Sequence, residues 1–208
     1  MVQSISDSKK SIVFDLYYKE KLSVKEIAEH FKVSADAATF FVRKHNIKRR
    51  TQAEARAVWF DKQKPSFTKR KLNSDSLKEL AVIGAMLYWG EGYKGNDKLP
   101  AHIVDFANSD HKMILLFLRF LRSVFILDEK KFRVYLYCYS NQDISKIINF
   151  WSKITEIPKN QFTKPYVKND FKVTANKMPY GLIHVRYSDK KLLLEIKSMI
   201  ESYVKKYA

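Results

Sequence analysis

A chain of 208 residues with a hydrophobic fraction of 46% has room for a small domain and a larger one, each with its own core. Lys and Arg outnumber Asp and Glu by 39 to 22, and the net charge of +17 exceeds what solubility alone asks of a small domain, so the expected partner is a polyanion. The single cysteine, Cys138, excludes an intrachain disulfide and a thiolate zinc cluster, and no lipidation motif or basic amphipathic anchor directs the charge to a membrane surface.

The excess runs along the chain: residues 1–72 hold 17 basic and 8 acidic residues and the remainder 22 and 14, so both parts are basic. The start, Met1-Val2-Gln3-Ser4, is polar and lacks the apolar run of a secretory signal. Ile12, Val13, Leu16 and Tyr17 recur at helical spacing and predict a helix over Ser11–Lys19. Ser23-Val24-Lys25-Glu26 is a capping box, opening a helix with Ile27, Ala28 and Phe31 inward. Ser34 caps a further helix, Ala35–His45, with Ala38, Phe41 and Val42 toward the core. Two short helices, a tight turn at Val33-Ser34 and a small residue where they cross make Leu22–Arg50 similar to the helix-turn-helix family. That resemblance implies a recognition helix presenting Asp36, Ala37, Thr39, Phe40, Arg43 and Lys44 to DNA. Ala37 and Thr39 would meet thymine methyls, and Arg43 a guanine edge or a phosphate.

Lys48, Arg49 and Arg50 open a second basic patch, and Lys62, Lys64, Lys69, Arg70 and Lys71 surround Pro65. This reads as a basic linker able to follow a phosphate backbone. The expected organisation is a helix-turn-helix domain over 1–57, a linker over 58–76 and a second domain over 77–208. Asn73-Ser74-Asp75 offers a cap for the helix that opens the second domain.

That helix is hydrophobic, carries Gly84, Ala85 and Gly90, and ends on Glu91-Gly92. Small residues let two helix backbones approach closely, and a carboxylate at a helix C-terminus meets the negative end of the dipole unless a cation offsets it. Gly84–Gly92 resembles the nine positions of the LAGLIDADG motif of homing endonucleases, with Glu91 in place of the metal-binding acid and Gly92 in place of the glycine after it. It departs at Gly84 and Met86, where the family has leucine and glycine, and at Trp89, which replaces an acid. With one motif in the chain, the resemblance implies a homodimer whose motif helices pack together through Gly84, Ala85 and Tyr88. It also implies Mg²⁺ held by the Glu91 carboxylate and the Gly90 carbonyl.

After Gly92 a polar turn precedes a strand over Ala101–Ala107, and Asn108-Ser109-Asp110 starts a helix over His111–Phe125 with Met113, Leu116, Phe117, Phe120 and Val124 buried. The greasiest run, Met113–Leu127, is broken by Arg119 and Arg122 and is too short to span a bilayer. Phe132–Ser140 alternates as a strand, Asp143–Thr155 reads as a helix, and Tyr166–Lys168 and Phe171–Val173 as short strands. Gly181–Tyr187 is a strand, and Ser188 or Asp189 caps a last helix through Val204. This order resembles the LAGLIDADG domain over residues 77–204, and the fold class expected is α+β: an all-α helix-turn-helix domain followed by helices on a curved antiparallel sheet. In that family the sheet lies over the DNA major groove, which here implies Arg133, Tyr135, Tyr137, His184 and Arg186 as contacts.

The expected function is sequence-specific binding of double-stranded DNA, with Mg²⁺-dependent site-specific cleavage by a homodimer. The family's basic residue near the scissile phosphate falls to Lys94, Lys98, Lys164 or Arg186. The alternative is a transcriptional regulator built on the same domains without cleavage. Either role implies a cytoplasmic, nucleoid-associated protein.

Overall fold

Ser23 starts a helix by accepting the Glu26 amide at 3.1 Å, while the Glu26 carboxylate takes the Ser23 amide at 2.7 Å. This box lies in the first of two compact units, residues 1–64, which contains α1 (Lys10–Tyr18), α2 (Val24–Phe31), α3 (Ala35–Lys44) and α4 (Gln52–Lys62). The computed structural model describes residues 4–95, 102–169 and 178–207 of the chain. Lys32 ends α2 in the left-handed region, which returns the Val33 amide to the Ala28 carbonyl at 2.9 Å. Ser34 then accepts the Ala37 amide at 3.1 Å and opens α3, so three residues join the two helices. Val13, Leu16, Tyr17, Ile27, Ala28, Ala38, Phe41 and Val42 form the core, while Phe31, expected inward, is only half-buried.

A second capping box, Thr51 with Glu54, opens α4 at 3.2 and 2.7 Å. The helix crosses residue 57, where the first domain was expected to end, and buries none of its residues. The Lys62 ammonium reaches back to Glu26 at 2.8 Å.

The remainder of the expected linker also has structure. Residues 65–208 form the second unit, and β1 (Phe67–Lys69) belongs to it. There follow α5 (Asp75–Glu91), β2 (Val104–Asn108), α6 (His111–Val124), β3 (Phe125–Leu127), β4 (Phe132–Tyr139), α7 (Ile144–Thr155), β5 (Tyr166–Lys168), β6 (Leu182–Tyr187) and α8 (Lys190–Tyr207). β1 pairs antiparallel with β3. The Ser66 amide and hydroxyl donate to Asp189 at 2.7 and 2.6 Å, and Asp189 caps α8 by accepting the Lys191 amide at 2.8 Å. Ser74 caps α5 and Asp110 caps α6, as the sequence predicts.

The larger sheet runs β2-β6-β4-β5. β6 pairs antiparallel with both β2 and β4, but β4 and β5 run parallel, so the sheet is mixed and not antiparallel throughout. The chain reaches β5 from α7 along the free edge of β4: Gln161 donates to the Phe132 carbonyl at 2.8 Å, and the Thr163 amide to that of Val134 at 2.9 Å. Phe171–Val173 and Ala101 lie outside the described residues.

One face of the sheet meets the helices. α6 buries Ile114, Phe117, Leu118, Phe120, Leu121 and Val124, whereas of two residues expected in the core Met113 is half-buried and Leu116 is exposed. α5 packs on α6 so closely that a Cβ on Gly84 would lie 1.9 Å from Cγ of the buried Phe120. Gly84, Ala85 and Tyr88 are therefore buried within the second unit and present no surface to a second copy. The small residue serves the α6 crossing instead. Among the described residues no helix is long and apolar enough to cross a membrane.

Gly84→Ala should lower the stability of the second unit by about 1–3 kcal/mol, since Phe120 cannot move without disturbing its neighbours. At Gly90 a Cβ meets nothing within 4 Å, so Gly90→Ala should leave stability unchanged or raise it by up to about 1 kcal/mol. Chemical denaturation of the two variants compares them directly. The Glu26 carboxyl is held down from its ordinary 4.5 to about 2, first by Lys62 and then by the Ser23 amide and hydroxyl. Its folded pKa is the lower one, so its contribution is complete above pH 4.5 and is lost as pH falls toward 2. Helical circular dichroism against pH should show wild type and Glu26→Gln converging over that window.

Candidate functional site

β4 turns Phe132, Val134, Leu136 and Cys138 into the core and Arg133, Tyr135, Tyr137 and Tyr139 outward. β6 turns Ile183, Val185 and Tyr187 inward and Leu182, His184 and Arg186 outward. The register sets these side chains in rows across the outer face: Asp105–Arg186–Arg133, then Ala107–His184–Tyr135, then Leu182–Tyr137–Tyr166. The five sheet residues nominated from alternation thus share one face and are neighbours.

At the head of the first row lies a residue that alternation did not nominate. Asp105 is only 5% exposed although its strand position points outward. It accepts from Arg186 Nε at 2.7 Å and pairs with His184 Nδ1 at 2.8 Å. The Arg186 guanidinium also lies 3.9 Å over the Tyr135 ring. Burial works to release the Arg186 proton, but the Asp105 charge and its hydrogen bond outweigh it and hold the pKa above the ordinary arginine value. The Tyr137 ring sits 5.0 Å from His184 and 5.3 Å from Tyr166. Arg133 bends back, donating to the Lys130 and Phe132 carbonyls at 2.7 and 2.6 Å. The signal for Asp105 was an acid between Val104 and Phe106 in an apolar strand.

The end of α5 abuts this face through the backbone. Gly92 bridges to Phe106, and the Tyr93 amide donates to the Asp105 carbonyl at 2.9 Å. Gly92 is not left-handed (φ −75°). A glycine stands there because a Cβ would come within 2.4 Å of the Tyr88 ring, whose hydroxyl donates to the Tyr93 carbonyl at 2.8 Å. Burial pushes the Tyr88 phenol up to about 12. Glu91 closes the helix with its carboxylate in solvent. The Lys94 ammonium donates to the Trp89 carbonyl, placing a cation at the negative end of the α5 dipole, and Lys197 donates to the Lys94 carbonyl at 3.1 Å.

Of the other basic candidates, Lys164 is exposed just before β5, Arg186 is tied to Asp105, and Lys98 lies outside the described residues. The Glu91 carboxylate and Gly90 carbonyl are hard oxygen donors of the kind Mg²⁺ takes, but they are two where that ion takes six. Among the described residues no group of three or more His, Cys, Asp or Glu is placed to hold a metal. Such a site needs oxygens from a second protomer, phosphates or water.

In the first unit α3 exposes Asp36, Phe40, Arg43 and Lys44, with Phe40 at 69%. Ala37 and Thr39 are half-buried, and the Thr39 hydroxyl donates to the Ala35 carbonyl at 2.8 Å, leaving its methyl. Two expected contacts are committed elsewhere. Lys44 pairs with Asp7 at 2.7 Å, and Arg50 lies 4.1 Å over the Tyr17 ring while donating to the Tyr17 carbonyl at 2.9 Å. Their work is to hold neighbouring segments together, whereas Lys48 and Arg49 project into solvent. In the second unit Lys69 pairs with Glu195 at 2.8 Å, while Arg70 and Lys71 are exposed. Set against protein-family models, curated proteins and solved structures, the chain matches none.

Proposed function

We propose that this protein binds double-stranded DNA sequence-specifically and, as a homodimer, hydrolyses a phosphodiester in each strand in the manner of the LAGLIDADG endonucleases. The observation that carries the DNA-binding part is the outer sheet face, where Arg133, Tyr135, Tyr137, His184 and Arg186 adjoin one another in a chain of net charge +17. Guanidinium and aromatic groups on a broad open face suit a polyanion whose base edges are read as its backbone is neutralised. α2 and α3 act as a helix-turn-helix in this reading, with Phe40 and Arg43 at the DNA.

The homodimer forms on the outer side of α5. Ile83, Met86 and Gly90 recur there at spacings of three and four, Ile83 is 40% exposed, and Gly90 leaves room for a second backbone. Glu91 then reaches the shared centre from each protomer. Mg²⁺ bound by Glu91, the Gly90 carbonyl and DNA phosphates would activate water and stabilise the departing 3′ oxygen. Gly90 keeps the helices close, and the sheet face sets the strands in register.

A regulator that binds the same DNA without cutting it is the second reading. Lys94 favours it, because its ammonium already supplies the cation that the end of α5 calls for.

DNA affinity should fall steeply with salt, with a log–log slope of about −0.9 for each phosphate neutralised. A slope near zero removes nucleic acid as the partner. On a site selected by binding, Glu91→Gln should abolish Mg²⁺-dependent cleavage and leave affinity largely intact. If the wild type cuts no selected site with Mg²⁺ or Mn²⁺, the regulator reading stands. Gly90→Leu should convert a two-protomer DNA complex into a one-protomer complex in sedimentation, with the fold unchanged by circular dichroism. Two protomers retained would place the interface elsewhere.

A further inference from the structure

We infer that Arg186 is a guanine reader, aimed at one base by Asp105 and Tyr135, which act as positioning residues. The inference rests on the DNA-binding reading above and goes beyond it by naming the base and the residues that select it.

A guanidinium has two usable edges, one made by Nε with a terminal nitrogen and the other by the two terminal nitrogens. Asp105 takes the first, accepting from Nε at 2.7 Å. The Tyr135 ring, 3.9 Å from Cζ, fixes the plane. The far edge gives no bond to Asp105 and lies beside the Tyr135 side chain, which also hydrogen-bonds the guanidinium, on a side chain that is 24% exposed. Two parallel N–H donors in a fixed plane match O6 and N7 of guanine in the major groove. A contact to phosphate needs charge and reach and gains little from a fixed plane, and Arg43, Arg49, Arg70 and Lys71 lie exposed for that.

The cost of the arrangement points the same way. Asp105 is stripped of water on the outward side of a sheet, where two apolar side chains would pack at lower cost. Its charge is shared between Arg186 and His184, the groups that lean over it, and Arg133 stands opposite Arg186 on the adjoining strand. The net charge of the cluster stays positive toward the partner.

A well-formed pair of this kind discriminates against the wrong base by about ten- to a hundredfold. The test selects binding sites from random duplex DNA, then measures the affinity of wild type, Arg186→Gln and Asp105→Asn for each single-base variant of the selected site. Wild type should require guanine at one position of each half-site, and 7-deazaguanine there should weaken it about tenfold. Arg186→Gln should lose that requirement and become indifferent to 7-deazaguanine, with preferences elsewhere unchanged. Asp105→Asn should relax the same position and no other. Because 7-deazaguanine alters only the DNA, this arm does not depend on either variant folding. A selected site with no guanine requirement, one whose guanine tolerates 7-deazaguanine, or Arg186→Gln with every preference retained would each overturn the inference. Absence of salt-sensitive binding by the wild type would overturn the DNA-binding reading itself.

Discussion

The second unit depends on a point where the bare backbone of α5 at Gly84 receives a side chain from α6. Phe120 on α6 occupies the space that a Cβ on Gly84 would take, and from there aromatic contacts run in two directions. Phe120 meets Phe125 edge-on at 5.8 Å, and Phe125 meets Phe67 in the same way, which ties β3 and β1 to the core. On the other side Phe117 stacks on Phe106 at 4.3 Å and on Tyr88 at 5.7 Å. Tyr88 reaches the carbonyl of Tyr93, whose amide holds the Asp105 carbonyl. The outer sheet cluster is therefore set in place by packing that begins on the opposite side of the sheet.

The capping signals in the sequence hold in the fold because their causes are local. Ser23 with Glu26, Ser34, Ser74 and Asp110 act as caps because each satisfies an amide within three residues. Alternation in β4 and β6 placed Arg133, Tyr135, Tyr137, His184 and Arg186 on one face for the same reason. What escaped was identity of neighbours. Asp105 lies 79 and 81 residues from its two partners, and nothing near it in the chain names them. Gly84 and Ala85 were legible as a close-packing face, but not which helix would cover it, since α6 and a second copy make the same demand. The Thr51–Glu54 box was present in the sequence inside the expected first domain, but the boundary expected at residue 57 cuts through the helix that the box opens.

The net charge of +17 overstates what a polyanion would meet. Lys44 with Asp7, Lys62 with Glu26 and Lys69 with Glu195 are ion pairs within a unit, and Arg50 clamps Tyr17. Exposed pairs of this kind contribute little to stability, but they orient the elements they join. Other cations, Arg43, Lys48, Arg49, Arg70 and Lys71 among them, lie exposed. Composition measures how much positive charge a chain carries, and only the fold divides it between holding segments together and facing outward.

The edge of β4 has a bearing on solubility. Its sequence, Phe-Arg-Val-Tyr-Leu-Tyr-Cys-Tyr, is rich in aromatic and β-branched residues with a single charge, the composition from which cross-β aggregates form when the backbone is left open. Gln161, Thr163 and then the parallel strand β5 occupy that edge in turn from Phe132 to Tyr139. Among the described residues the sheet edge passes to a strand of three residues that ends on Lys168, too short and too charged to template another chain. Residues 159–168 thus serve as a shield against self-association, whatever else the sheet binds.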